Sequence, residues 1–312
     1  MKDNTEANYQ KLLDNAKKYL VNKAYDLAAQ AFEEAYQLKP SFDLHQKIVQ
    51  TWHRAHQDQI AWQLVQDKLD QYLTSLTSIA LVLDIIMALH DFIGAQQLIQ
   101  QNVSVLENKQ SEFQTLVMKN QYHYQLNHLE DVKKLKRQIL TILTYSLTKQ
   151  SELIWGLHCL SLTDFKQCCQ SLLDNPYLHP LLKASVTEDL VKLNLRQRWT
   201  INFFGELREF VPGRQRLIYQ SKSLSVMQNL LVEKFSDGTN NNLDFCQKEM
   251  NLYAAMLYPF TDQIITEPDL WFQLIMERLN FEKSSQSLEN QPKAVKVNKW
   301  LDELENLLSL FN

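Results

Sequence analysis

The chain has 312 residues, 45% of them apolar, with a net charge of -4. That is too long for one small core and too apolar for disorder throughout. The five glycines (Gly94, Gly156, Gly205, Gly213 and Gly238) are too scattered for a phosphate-cradling loop, few glycines and prolines favour helices, and the acidic balance makes nucleic acid an unexpected partner.

The N-terminal half carries a repeated figure. Tyr25, Ala28 and Phe32 place an aromatic residue, a small residue three on and a large apolar residue four further. The figure recurs in Asp58-Ala61-Val65, Phe92-Ala95-Ile99, Leu129-Val132-Lys136 and Phe165-Cys168-Leu172, most weakly in the fourth case, where Lys136 stands at an apolar slot. Positions 28, 61, 95, 132 and 168 are separated by 33, 34, 37 and 36 residues. Such a period suits pairs of antiparallel helices, the small residue sitting where the second helix crosses the first closely. The most apolar run, Ile79 to Leu89 with Asp84 inside it, is too short to span a bilayer and reads as a buried helix.

In the first unit, Leu12, Asn15, Ala16 and Tyr19 precede Ala28, Phe32, Ala35 and Pro40; in the fifth, Trp155, Gly156 and Cys159 precede Cys168, Leu172 and Pro180. On these residues the segment resembles the tetratricopeptide repeat. The resemblance implies an all-α fold, a right-handed helical solenoid of about five helix-turn-helix units over residues 1–180. It also implies that the first helix of each unit lines a groove that takes a protein or peptide. By position those groove residues are Lys17, Gln50, Arg54, Asp84, Met87, Gln121 and Tyr124. The family's carboxylate-clamp slots hold Leu13 and Lys17 here, which argues against a receptor for chaperone tails. Repeats followed by a helical extension are similar in shape to bacterial tetratricopeptide proteins.

Residues 181–312 read as a mostly helical C-terminal region. Pro180 to Lys192 is amphipathic; Trp199 to Val211, aromatic and β-branched with Gly205 inside, predicts a β-hairpin packed on helices. Helices are expected over 224–235, 243–257, from an N-cap at Thr266 to Leu279, and over 298–310 with Trp300, Leu301, Leu304, Leu307 and Leu308 on one stripe. The polar segments 236–242 and 282–296 read as loops.

Between Lys192 and Lys222, seven Lys/Arg face only Glu206 and Glu209, a local charge of +5. Arg196, Arg198, Arg208, Arg214 and Arg216 are therefore a candidate anion-binding patch; the alternative is that they pair with acidic helices of the repeat. His53 and His56, three apart with Asp58 beyond, lack a third metal ligand at a diagnostic spacing. His158 with Cys159, Cys168 and Cys169 is better explained by cysteines in core slots than by a metal or a nucleophile. No catalytic residue, metal or cofactor is assigned. Met1–Asn4 leads into polar sequence without the apolar stretch of a signal peptide, and the four cysteines do not form a disulfide framework, so a cytoplasmic, membrane-free protein is expected. The expected function is a protein-interaction adaptor. The alternatives are a regulator that senses a peptide or small anion and, third, an enzyme in the C-terminal part, which would need a closed pocket with perturbed acid–base groups near the hairpin.

Overall fold

Tyr25–Leu38 carries four alanines and no β-branched residue, a composition that favours helix before any packing is considered. A computed structural model gives the fold of residues 2–235, 240–281 and 291–309, and these are mostly helical. Contacts divide the chain into two units, residues 1–132 with 158–162, and residues 133–157 with 163–312. Residue 180, the boundary expected from the repeat, lies inside the second unit.

The first unit opens with three helix pairs: α1 (Lys2–Val21) with α2 (Tyr25–Leu38), α3 (Phe42–Arg54) with α4 (Asp58–Gln66), and, after the single turn α5 (Leu69–Tyr72), α6 (Leu76–Ala88) with α7 (Phe92–Gln101). The turn α8 (Val103–Leu106) and helix α9 (Gln110–Asn127) follow, and α10 (Leu129–Leu140) runs on into the second unit. Each pair turns through one left-handed residue, Lys23, His56 or His90, at φ 57°, 58° and 62°. The same two backbone bonds close each turn. Lys23 donates to Leu20 and Ala24 to Tyr19; His56 donates to His53 and Gln57 to Trp52; His90 donates to Met87 and Asp91 to Ile86. These six-to-one caps satisfy carbonyls that would otherwise be orphaned at a helix end.

The small residues pack as their spacing requires. Ala28, Ala61 and Ala95 are fully buried, and Phe32, Val65 and Ile99 join them in the interior. Along the unit, α2 packs on α1 and α3, α4 on α3 and α6, and α7 on α6 and α9. Helix α6 is enclosed along most of its middle: Ile79, Val82, Leu83, Ile85, Ile86 and Met87 are buried, while Leu76, Thr77, Asp84 and Ala88 are exposed. Asp91 caps α7 by accepting the Gly94 N–H at 2.6 Å, and His158 Nδ1 lies 2.8 Å from the same carboxylate. A Cβ on Gly94 would meet that carboxylate at 2.3 Å, so a larger residue there would force the capping side chain of Asp91 to move.

The repeat figure departs from expectation further along. Val132 and Ile139 of α10 are buried, whereas Lys136, the misfit of the fourth figure, is half-buried and ion-paired with Asp164. Phe165, Cys168 and Leu172 of α12 (Leu162–Asp174) are buried. Trp155, assigned by spacing to a first-helix packing slot, is instead 67% exposed at the end of α11 (Leu147–Gly156). That helix stops at Gly156 and passes into a 3-10 turn, so the slot has no helix to continue it.

The second unit continues with α13 (Pro180–Lys192) and a hairpin of β1 (Trp199–Phe203) and β2 (Glu206–Phe210), antiparallel in register Trp199↔Phe210 through Phe203↔Glu206. Trp199, Ile201 and Phe203 point inward, the period-two pattern of a half-buried strand. The two-residue turn has positive φ at both Phe204 (49°) and Gly205 (86°), the form that matches hairpin twist. Helices α14 (Lys222–Lys234), α15 (Asn240–Met256), α16 (Thr261–Ile264), α17 (Pro268–Arg278) and α18 (Pro292–Leu308) complete it.

Three expected boundaries move. Helix α15 begins at Asn240 and α18 at Pro292, within segments read as loops; residues 236–239 and 282–290 of those segments lie outside the described residues. The buried stripe Ala294, Val297, Leu301 and Leu304 extends the helical period back into the polar stretch, and Trp300 is only half-buried. The N-cap of α17 is Glu267, not Thr266, which puts Pro268 at the first helical position, where its missing N–H costs nothing. At the other end of α17, Arg278 grips α18 through Glu305 (2.9 Å), Asp302 (2.7 Å) and both the carbonyl (3.1 Å) and side chain (2.9 Å) of Asn298.

Two stability outcomes follow. Gly94→Ala should destabilise the protein by about 1–3 kcal/mol in urea unfolding, although helix propensity alone favours alanine by ~1 kcal/mol. Arg278→Lys keeps the charge but loses the planar fork, and should cost about 1–2 kcal/mol in the same assay.

Candidate functional site

Helix α9 carries Leu116, Asn120, His123, Tyr124 and Asn127 at intervals of four, three, one and three, a single helical stripe. This stripe lines a groove of about 440 Å3 in the first unit together with His53 of α3, Asp84, Met87 and Ala88 of α6, His90, Phe92 and His128. Contacts of α3 with α6 and of α6 with α9 bring these residues to one place.

Three of the seven groove residues expected from position, Asp84, Met87 and Tyr124, line it. The other four do not. Lys17 is exposed and 3.5 Å from Asp14, while Gln50 and Arg54 are exposed elsewhere on α3. Gln121 is half-buried, and its Nε2 is enclosed with no hydrogen-bond partner among the described residues. Of the four histidines, His90 at a left-handed position and His128 just past α9 lie where no helical stripe marks them, whereas His53 and His123 lie on α3 and α9. The α9 stripe, by contrast, was present in the sequence.

The groove has an aromatic wall. The Tyr124 ring lies 4.4 Å from those of both His90 and His128, nearly parallel to the latter at 22°, and Phe92 is 5.7 Å away. Loss of water around His90 lowers its basicity, helped by His128 and opposed by a backbone bond to Met87 and by Asp58. Burial likewise pushes the Tyr124 hydroxyl up to about 12, with Cys159 adding to the shift. Asp84 is exposed, yet the groove walls crowd water away from its carboxyl and raise its pKa, partly offset by His53. The wall is thus uncharged near neutral pH at His90 and Tyr124, and Asp84 is the one carboxylate among the lining residues.

His53 serves a turn rather than a metal: its Nδ1 is 2.5 Å from Asp58, tying the end of α3 to the start of α4. Among the described residues, no cluster of three or more His, Cys, Asp or Glu could hold a metal ion. Desolvation raises the thiols of Cys159, Cys168 (to about 11), Cys169 and Cys246, which keeps them protonated at neutral pH and ill-suited to nucleophilic or metal chemistry.

The five arginines of the candidate patch meet different partners. Arg198 pairs with Glu209 at 3.0 Å and Arg208 with Glu206 at 2.9 Å, so the hairpin's own carboxylates answer them. Arg208 also lies over the rings of Phe203 and Phe260, at 4.7 and 5.5 Å. Arg214 and Arg216 line a small cavity of about 170 Å3 with Asp262, while Arg196 is simply exposed. Burial would raise the Asp262 carboxyl, but hydrogen bonds from Ser221, Ser223 and the Lys222 N–H hold it below its usual value, where it anchors the start of α14.

No protein-family model, curated protein or solved structure matches this chain. Among the described residues, no helix is long and apolar enough to cross a membrane.

The groove makes a titration testable. His90 should titrate below the ordinary histidine value of 6.5, read from its ring protons by NMR. Its folded pKa is depressed, so the unfolded chain takes up the proton first. His90 therefore withdraws stability as pH falls below 6.5, and His90→Gln should flatten that part of the stability profile.

Proposed function

We propose that the chain is a helical-repeat binding protein of tetratricopeptide type, which holds an extended segment of a partner protein in the groove of its first unit. The observation that carries this reading is the meeting of α3, α6 and α9 on one aromatic-walled groove. The three helix pairs turning through Lys23, His56 and His90, 33 and 34 residues apart, support a repeat as the origin of that arrangement. A solenoid continuing into the second unit, an adaptor role and a cytoplasmic setting belong to the same proposal.

Groove chemistry narrows the ligand. The rings of His90, Phe92, Tyr124 and His128 offer flat faces to an apolar or aromatic side chain. Asn120 and Asn127 each present a donor and an acceptor, the complement of a peptide backbone. Asp84 supplies a negative charge with no Lys or Arg among the lining residues, which suits a lysine or arginine in the bound segment.

The test is capture from native cell extract with three baits: wild type, a groove variant (Asp84→Asn with Tyr124→Ala) and a patch variant (Arg198→Ala, Arg214→Ala and Arg216→Ala). A partner held by wild type and by the patch variant, but reduced at least tenfold with the groove variant, is the expected result; that loss corresponds to about 1.4 kcal/mol. Equal retention by the groove variant would remove the proposal.

A further inference from the structure

The second unit contains a separate cavity of about 480 Å3, lined by residues of α11, α13, α18 and the hairpin. Its walls include Leu143, Leu147, Leu178, Ile201, Phe203 and Met256. Phe204, in the left-handed turn position, also lines it and packs edge-on against Trp300 at 5.1 Å. A non-glycine residue at that angle is strained, so an aromatic side chain is held at the cavity against local preference.

Into this apolar lining α13 brings Lys183, which is 5% exposed. Its Nζ donates to the main-chain oxygen of Asn202 at 2.6 Å. An ammonium has three donors, and that carbonyl is its one hydrogen-bond partner among the described residues. The charged and titratable groups nearby do not neutralise it. Asp174 attracts it from a distance but is exposed and bonded to Thr200 and Gln170. Glu303 is exposed where it lines the cavity. His179 accepts the Leu181 N–H on Nδ1 (3.2 Å) and so carries its proton on Nε2, 3.2 Å from the Leu307 oxygen, as a neutral ring. The Tyr258 hydroxyl donates to the Arg216 oxygen at 2.9 Å.

Burial lowers the Lys183 pKa to about 8, opposed by Asp174, so the ammonium still predominates at neutral pH. A buried cation without a close anion is unfavourable, and a ligand carrying one negative charge and an apolar body would relieve it. We propose that this cavity binds a medium-chain monocarboxylate, its carboxylate on Lys183 and its hydrocarbon against the leucine, isoleucine and phenylalanine walls. One cation matches one carboxylate; a phosphate dianion would leave a charge unpaired. The site is suited to binding rather than to acid–base catalysis, because His179 is tied on both nitrogens to backbone and the Tyr258 hydroxyl is engaged. It lies wholly in the second unit and stands independently of the peptide groove.

The full chain is titrated calorimetrically with sodium decanoate, 1-decanol and inorganic phosphate, with melting followed in parallel. Wild type should bind decanoate saturably with a rise in Tm, bind decanol at least tenfold more weakly, and not bind phosphate. Lys183→Met should lose decanoate at least tenfold and keep decanol. Wild type alone supplies a second readout: decanoate affinity should fall as pH rises from neutral to about 10, while decanol affinity stays level. Without ligand, wild type should also gain stability relative to Lys183→Met between pH 8 and 10.5, where the folded lysine has released a proton that the unfolded chain still holds. No response to decanoate, equal affinity for decanoate and decanol, or a pH-independent decanoate affinity would overturn the proposal.

Discussion

Close crossing of paired helices is the constraint on which the first unit depends. At Ala28, Ala61 and Ala95 no side-chain surface remains, so any larger group would push the second helix off the first. With the crossing fixed, the link between the helices must be short, and the left-handed residues Lys23, His56 and His90 supply it with the same backbone bonds each time. Constant pairs then bring α3, α6 and α9 into contact, and the groove is a consequence of that contact rather than of any one motif.

What could be read in advance was what depends on periodicity. The buried slots at 28, 61, 95 and 168, the enclosed helix around Ile79–Met87 and the hairpin at 199–210 all follow from spacing and residue type. What could not be read depends on where a helix stops. Trp155 fell at a helix end and points outward; α18 began earlier than its polar composition suggested, because Ala294 and Val297 keep the stripe going. Of the groove residues, His90 and His128 lie outside the helices, where no periodic stripe marks them. Lys183 carried a faint signal: with Thr187 it puts polar side chains on a buried part of α13, four residues apart and both enclosed.

The two units treat charge differently. In the groove, Asp84 stays open to solvent while loss of water keeps His90 and Tyr124 uncharged near neutral pH. In the cavity, Lys183 is enclosed with a single carbonyl as its hydrogen-bond partner among the described residues. Arg198 and Arg208 illustrate a third arrangement, in which Glu209 and Glu206 pair with them at the surface while the rest of the segment keeps its positive charge.

His90 occupies two positions at once. It is the left-handed residue that ends α6, and its ring is one face of the aromatic wall. Glycine at that turn would remove a conformational penalty of about 1 kcal/mol, so selection for thermal robustness alone would drive the position towards glycine and strip the groove of a wall. Robustness and recognition therefore compete at a single codon, and a stabilised version of this protein is best sought at Lys23, where the same turn lies away from the groove.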